Sequence, residues 1–389
     1  VEIERWSAEG RSLHTKRAFI ISFSHFFHDI YGAFLSPVLP VLIEKFGLSL
    51  RLAGLLLPVF RSPTLLQPLL SYQADRGKLT KLFPLTLVVT ALTMSTLPLS
   101  PGYGYALALI FVAGISASVY HAFALPFISS ASGNRPGTGM SLFMTGGELA
   151  RSFGPLLIVT SLRLLPGGAA PLAALPGLAY AALLLFLPIS YTGETQKSRA
   201  FSFRGLRRGS KDIGLLVAIG MAHSLTVYTF SLYLPTHMKQ GGATLFTAGI
   251  SLTALQISGA AGALLGGTLS DRLGRKPFFL ITATLVPLLI NLFLQARTDT
   301  LKMLLLLATG IFMFSSNPVR YASAQELVPD MRGTASSILM SFNFLTSVLA
   351  SIVGGFLGDT IGLHNTYRML SFIPLIEIPL ILMLSNKSP

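Results

Sequence analysis

Gly267-Thr268-Leu269-Ser270-Asp271-Arg272-Leu273-Gly274-Arg275-Lys276 interrupts a long apolar tract, and its reading decides the fold. The glycines suit a helix end and a tight turn. Asp271, Arg272 and Arg275 supply charges able to latch neighbouring helix ends through charge-assisted hydrogen bonds. A degenerate copy lies 196 residues earlier (Asp75 to Asp271): Asp75-Arg76 matches Asp271-Arg272, with Ser71 and Gln73 in the places of Gly267 and Leu269. The same offset relates Gly137-Thr138-Gly139-Met140-Ser141 to Gly333-Thr334-Ala335-Ser336-Ser337. Two independent landmarks sharing one offset imply two repeats of the same orientation.

The flanking sequence gives those repeats their solvent. Of 389 residues, 51% are hydrophobic and 11% charged, with mean hydropathy +0.65, against about 25% charged in a soluble domain. Runs long enough to cross a bilayer are expected at 18–43, 51–74, 82–99, 104–130, 138–163, 169–190, 212–237, 244–269, 277–296, 301–326, 333–358 and 366–385. The fold expected is an all-α membrane protein, twelve transmembrane helices in two six-helix pseudo-symmetric halves. The halves span 18–190 and 212–385, joined by a basic linker at 191–211 and flanked by tails at 1–17 and 386–389. Of the 29 Lys and Arg, nineteen fall on the side of the tails and linker, seven on the other side, and Arg61, Arg151 and Arg320 within spans. By the positive-inside rule both termini are cytoplasmic, in a multi-pass protein of the inner (plasma) membrane. The first 17 residues are charged and lead into a span too long for a signal-peptide core, so no secretory signal is expected.

The stretch from Gly267 to Lys276 resembles, nearly position for position, the loop signature Gly-x-Leu-Ala-Asp-Arg-x-Gly-Arg-Arg/Lys of the major facilitator superfamily. That family's transporters rock two halves about a central site. Asp75, Arg76, Asp271, Arg272 and Arg275 are therefore expected at a cytoplasmic gate. Arg320 joins them as a gating arginine about a turn and a half before Glu326, the alternative being a substrate ligand. A narrower resemblance lies in residues 20–160. Ser22-Phe23-Ser24-His25 with Asp29, Phe46-Gly47-Leu48-Ser49, Leu66-Gln67-Pro68, and Ser141-Leu142-Phe143-Met144-Thr145-Gly146-Gly147 leading to Gly154-Pro155-Leu156 are similar to the fosmidomycin-resistance group of facilitators. The resemblance implies a proton-driven exporter of small molecules. The chain departs from that group at His121-Ala122-Phe123, where the group has His-Pro-Glu, at Glu148, where it has a neutral amide, with Arg151 on the same helix, and at Arg61, where it has an apolar or neutral residue.

Charges at membrane depth are costly and need a partner, a watery cavity or a function. Asp29 and Glu148 are the proton-coupling candidates. Asp29 shares a helix face with His25, four residues earlier, while His28 is rotated about 100° away. The alternative for Asp29 is a structural pairing with Arg61. Glu148 and Arg151, three apart on one face, form either a fixed ion pair or a switch in which Arg151 alternates between Glu148 and an anionic substrate. His25, His28, Arg61, His121, Arg151, His223, Asn317 and Asn343 are the substrate-binding candidates, and the C-terminal half presents a more neutral wall. Glu377 is expected on a helix facing lipid or the outside of the bundle, with no role assigned.

The remaining chemistry is excluded by residue type. With no Cys there are no disulfides or thiolate sites, and the ligand spacing fixes no metal site. No phosphate-binding loop, nucleophile elbow or zinc-protease motif occurs, so neither ATP drive nor enzyme activity is expected. The net charge of +14 is distributed between apolar runs and does not make a nucleic-acid-binding face. The reading is a monomeric secondary transporter working with protons, membrane lipids and a small anionic or zwitterionic solute or drug, without a cofactor, by antiport. An uptake symporter or facilitator for an organic anion or other nutrient, a divalent metal exporter, and a transport-dead sensor or lipid-handling protein are the alternatives.

Overall fold

The computed structural model describes residues 15–66, 69–70, 82–132, 136–164, 170–186, 203–328 and 332–385. Asp75, Arg76, the tail at 386–389 and most of the N-terminal tail and linker lie outside the described residues. Every regular element among the described residues is helical. In chain order they include α1 (Thr15–Gly32), α2 (Leu35–Phe46), α3 (Leu50–Gly54), α4 (Leu56–Arg61), α5 (Leu82–Thr96), α6 (Tyr103–Ser132) and α7 (Pro136–Leu164). There follow α8 (Leu175–Phe186), α9 (Phe203–Gln240), α10 (Leu245–Leu273), α11 (Arg275–Gln295), α12 (Asp299–Leu327), α13 (Arg332–Ser371, bent at Gly362) and α14 (Glu377–Met383).

Among the described residues, 8 helical stretches are long and apolar enough to cross a membrane. One of these, Ala335–Met383 (49 residues), takes in the expected eleventh and twelfth spans, and three expected spans fall short of that description for local reasons. The fifth forms the 29-residue helix α7 but carries Glu148, Arg151 and Arg163. The sixth is short, Ala170–Phe186. The second, expected as one helix over 51–74, is broken into α3, α4 and a 3-10 turn at Ser62–Leu66. Proline explains the breaks, because its ring collides with the carbonyl four residues back and it donates no N–H. Pro58 accounts for the interruption at Gly54–Leu55 and Pro63 for the tightening after Arg61. Pro37 does the same to the first span, dividing it at Ala33–Phe34, where the Phe34 N–H bonds back to the Tyr31 carbonyl at 3.0 Å.

The chain divides into two compact units, Val1–Leu42 with Leu56–Lys197, and Ile43–Leu55 with Ser198–Pro389. The first is centred on an aromatic-rich core including Phe83, Tyr120, Phe123, Phe127 and Phe143. The second is centred on Leu216, Ile219, Phe278, Phe279, Val319 and Leu339. Segment Ile43–Leu55 joins the second unit by a specific contact: Asp359 of α13 accepts from the backbone N–H groups of Leu50 at 2.7 Å and Arg51 at 3.0 Å. These are otherwise orphan donors at the start of α3. Large apolar side chains such as Leu185, Phe186, Leu264 and Leu304 remain exposed, as suits a surface whose solvent is lipid.

Candidate functional site

In the first unit α1, α5, α6 and α7 converge on Asp29. His25 Nε2 lies 3.1 Å from Asp29 Oδ2, His28 Nδ1 2.9 Å from Oδ1, and His121 Nε2 3.6 Å from Oδ1. The helical-wheel separation of His28 from Asp29 therefore does not keep them apart. Arg61 lies over the Phe60 ring and within electrostatic reach of His121. His25 and His28 are buried, while Asp29 and His121 keep side-chain exposures of 19% and 31%. One side of the cluster is thus sealed and the other reachable.

The sealed side is built by close packing. The His25 ring stacks on Phe143 at 3.8 Å and the His28 ring on Tyr120 at 4.0 Å. A Cβ at Gly147 would stand 2.6 Å from His25 Cε1, so the glycine lets the imidazole lie against the α7 backbone.

Hydrogen-bond roles fix where the protons are. His25 Nδ1 lies 2.7 Å from the Phe143 carbonyl and His121 Nδ1 2.8 Å from the Ala117 carbonyl. Carbonyls only accept, so both Nδ1 atoms carry hydrogen. For His28 the inference runs through hydroxyls. Ser116 donates to the Thr86 carbonyl and Thr90 donates to Ser116, each at 2.8 Å. Thr90 can then only accept at its 3.1 Å contact with His28 Nε2. All three imidazoles thus spend a hydrogen outward and turn the other nitrogen toward one carboxylate. If all three were neutral and Asp29 ionised, only lone pairs would meet. The cluster requires at least one added proton or another cation. His25, Asp29 and His121 also offer ligand atoms within 4.8 Å of one another, and their backbone-anchored Nδ1–H groups are the usual outer support of a metal-binding imidazole. The sequence spacing had fixed no such geometry, because His121 arrives from another helix.

The second unit, expected to present a neutral wall, has a charged interior. Glu377 is 1% exposed rather than facing lipid, and its Oε1 stands 3.3 Å from Nδ1 of the equally buried His223. His223 Nε2 donates to the Met313 carbonyl at 2.7 Å and also contacts Ser316 Oγ at 3.0 Å. Its Nδ1 again faces a carboxylate across a gap that needs one proton. Arg320 is not beside Glu326. It is buried, bonded to Asn317 and within electrostatic reach of Glu377. Asn343 is locked, accepting from Ser224 at 2.7 Å and donating to Tyr228 at 2.9 Å.

The other candidates lie nearer the surface. Glu148 and Arg151 are ion-paired within one helix, their side chains 39% and 46% exposed. Arg275 donates to Glu326 at 2.7 Å and to Asp271 at 2.8 Å, and also to Ser270, while Arg272 is exposed. Gly274 makes this latch possible: its φ of 88° lies in the left-handed region that favours glycine. Thr90 and Ser116 were not singled out by the sequence, and His223 and Glu377, each noted there, were not paired. Their signal was weak, a hydroxyl or lone acid at matching depth on helices distant in the chain.

Comparisons agree with this architecture. The profile of the Major Facilitator Superfamily matches residues 21–255 and 216–389. The fosmidomycin resistance protein of Escherichia coli (strain K12) is 25% identical over 378 residues, covering 94% of this chain and 92% of that one. An uncharacterised MFS-type transporter, YfnC of Bacillus subtilis (strain 168), is 23% identical over 392 residues, covering 95% and 92%. Among solved structures, a bacterial homologue of the human lysosomal transporter Spinster, inward-facing and occupied, superposes with TM-score 0.79 at 15% identity over 97% of both chains. The nucleoside transporter NupG superposes with TM-score 0.71 at 14% identity over 96% of this chain and 100% of that one.

Proposed function

This chain belongs to the Major Facilitator Superfamily, a family of transporters and not of enzymes, and on that premise we propose that it is a proton-coupled antiporter exporting a small anionic or zwitterionic molecule. In this reading twelve spans form two halves with both termini in the cytoplasm, the protein works as a monomer in the inner membrane, and Asp271, Arg275 and Glu326 belong to the cytoplasmic latch. One observation carries the coupling: Asp29 faces three imidazole nitrogens whose opposite nitrogens are already committed as donors. Taking up a proton relieves the lone-pair repulsion. Losing it restores a carboxylate that must be hydrated or paired, so protonation and water access are coupled. Export is supported by the name of the Escherichia coli relative, which makes fosmidomycin the first probe.

The test is accumulation of labelled fosmidomycin by everted membrane vesicles under an imposed pH gradient. Gradient-dependent accumulation with the wild type and none with Asp29→Asn is the expected result. Full coupling in both Asp29→Asn and Glu148→Gln would overturn the assignment. The ligand geometry of His25, Asp29 and His121 favours a second reading, export of a divalent transition metal. Under that reading Zn²⁺ binds the purified protein with loss of affinity in His121→Ala, and the vesicles accumulate Zn²⁺ instead.

A further inference from the structure

The second unit buries ionisable groups that the coupling scheme leaves unused. Glu377 on α14 and His223 on α9 are each 1% exposed, and Arg320 on α12 is 4% exposed. His223 Nδ1 lies 3.3 Å from Glu377 Oε1, and neither atom has another polar partner among the described residues. Arg320 Nη1 has none there either, since Asn317 engages only Nη2. α14 packs against α9 and α11, and α11 carries no titratable side chain after Lys276. The groups that act on Glu377 are therefore His223 and Arg320, with Tyr228 and Tyr321 beside the guanidinium.

The proton count decides how these groups pair. His223 Nε2 already donates to the Met313 carbonyl, so a neutral His223 offers Glu377 only a lone pair. A proton on Glu377 lets the carboxyl donate to Nδ1 without separating charge in a buried place. Arg320, which stays charged, then holds its charge alone. Without that proton two lone pairs meet, and the carboxylate gains by turning to Arg320, the buried cation already within electrostatic reach. Neither arrangement satisfies all three groups, so exchange is open in both directions. The described geometry is that of the occupied form.

Arg320 is also placed to wait for its partner. Beside it is room for about one water molecule, lined by Gly220 and Asn343 among others. A Cβ at Gly220 would lie 3.3 Å from Nη1, so the missing side chain keeps that room open. A water there accepts from the guanidinium while Glu377 is turned away.

We propose that Glu377 is a second proton-binding site, separate from Asp29, whose carboxyl donates to His223 when protonated and turns to Arg320 when the proton is lost. On release the Glu377 O–H bond breaks, the proton passes to water, and the centre goes from the single charge of Arg320 to none. The inference extends the proton-coupled reading to a second site. Its test uses neither substrate nor gradient, so either can fail alone.

The test is infrared difference spectroscopy of the purified full-length protein through a pH titration, following the C=O stretch of protonated carboxyl groups. At neutral pH a buried carboxyl band is expected in the wild type and in Asp29→Asn, missing from Glu377→Gln, and lost as pH rises. Arg320→Gln removes the carboxylate's alternative partner, so the band should persist to a pH higher by about one unit or more. His223→Leu removes the acceptor of the occupied form, so the band should vanish at lower pH than in the wild type. That opposite shift decides the matter if Arg320→Gln does not fold. Absence of any band that Glu377→Gln removes, a band that survives alkaline pH in the folded wild type, or a midpoint unmoved in the folded variants would overturn the proposal.

Discussion

Asp29 in the first unit is surrounded by three imidazoles and partly reachable, whereas Glu377 in the second meets one imidazole and is sealed, with a guanidinium left over. Both units use the same device, an imidazole pinned through one nitrogen to a backbone carbonyl so that the other must face an acid. They differ in what remains after the acid is satisfied. Around Asp29 the surplus is basic nitrogen, which suits a site that takes and releases protons. Around Glu377 the surplus is the fixed positive charge of Arg320. Similar hydrogen-bond grammar therefore supports different work, and the difference lies in the count and reach of the neighbouring groups.

Variants can break or sharpen that contrast. The largest effect is expected from Asp29→Asn, which should reduce gradient-driven transport to background in everted vesicles. Glu377→Ala should be the more damaging change to stability, by about 3 kcal/mol, since it strips a buried polar group of its partner. Glu377→Gln should recover most of that loss in a thermal melt, because its amide N–H can donate to His223 Nδ1. Gly147→Ala comes next: its Cβ would meet the His25 ring at 2.6 Å, and such overpacking costs about 1–3 kcal/mol. The melting temperature should fall accordingly. The smallest effect belongs to Glu148→Gln, whose half-exposed pair with Arg151 should contribute less than about 1 kcal/mol to stability. A larger drop would make that pair structural and remove it from any switching role.

Much of this was legible along the chain. The duplication at a fixed offset, the apolar runs and the loop signature identified the membrane class and the family. Asp29 with His25 followed from i, i+4 spacing on one helix. The proline breaks were partly legible: Pro37 and Pro58 inside the apolar runs permit kinks, but hydropathy does not register a missing N–H and so placed no helix ends there. Arg320 was drawn toward Glu326 by proximity in sequence, yet Glu326 is taken by Arg275 across 51 positions. Glu377 looked peripheral because its span was expected to face lipid or the outside of the bundle.

What the sequence determined by itself was the set of local and periodic facts: which segments are apolar, where their charged connections fall, and which ionisable groups sit at depth. Those are properties of short stretches, written in composition and spacing. Only the tertiary structure decided the partners: His121 and Thr90 joining Asp29, His223 meeting Glu377, Arg320 left unpaired before a glycine. The physical reason is reach. A hydrogen bond or ion pair acts over about 3–4 Å, and groups on different helices come within that distance through packing, which no local spacing records.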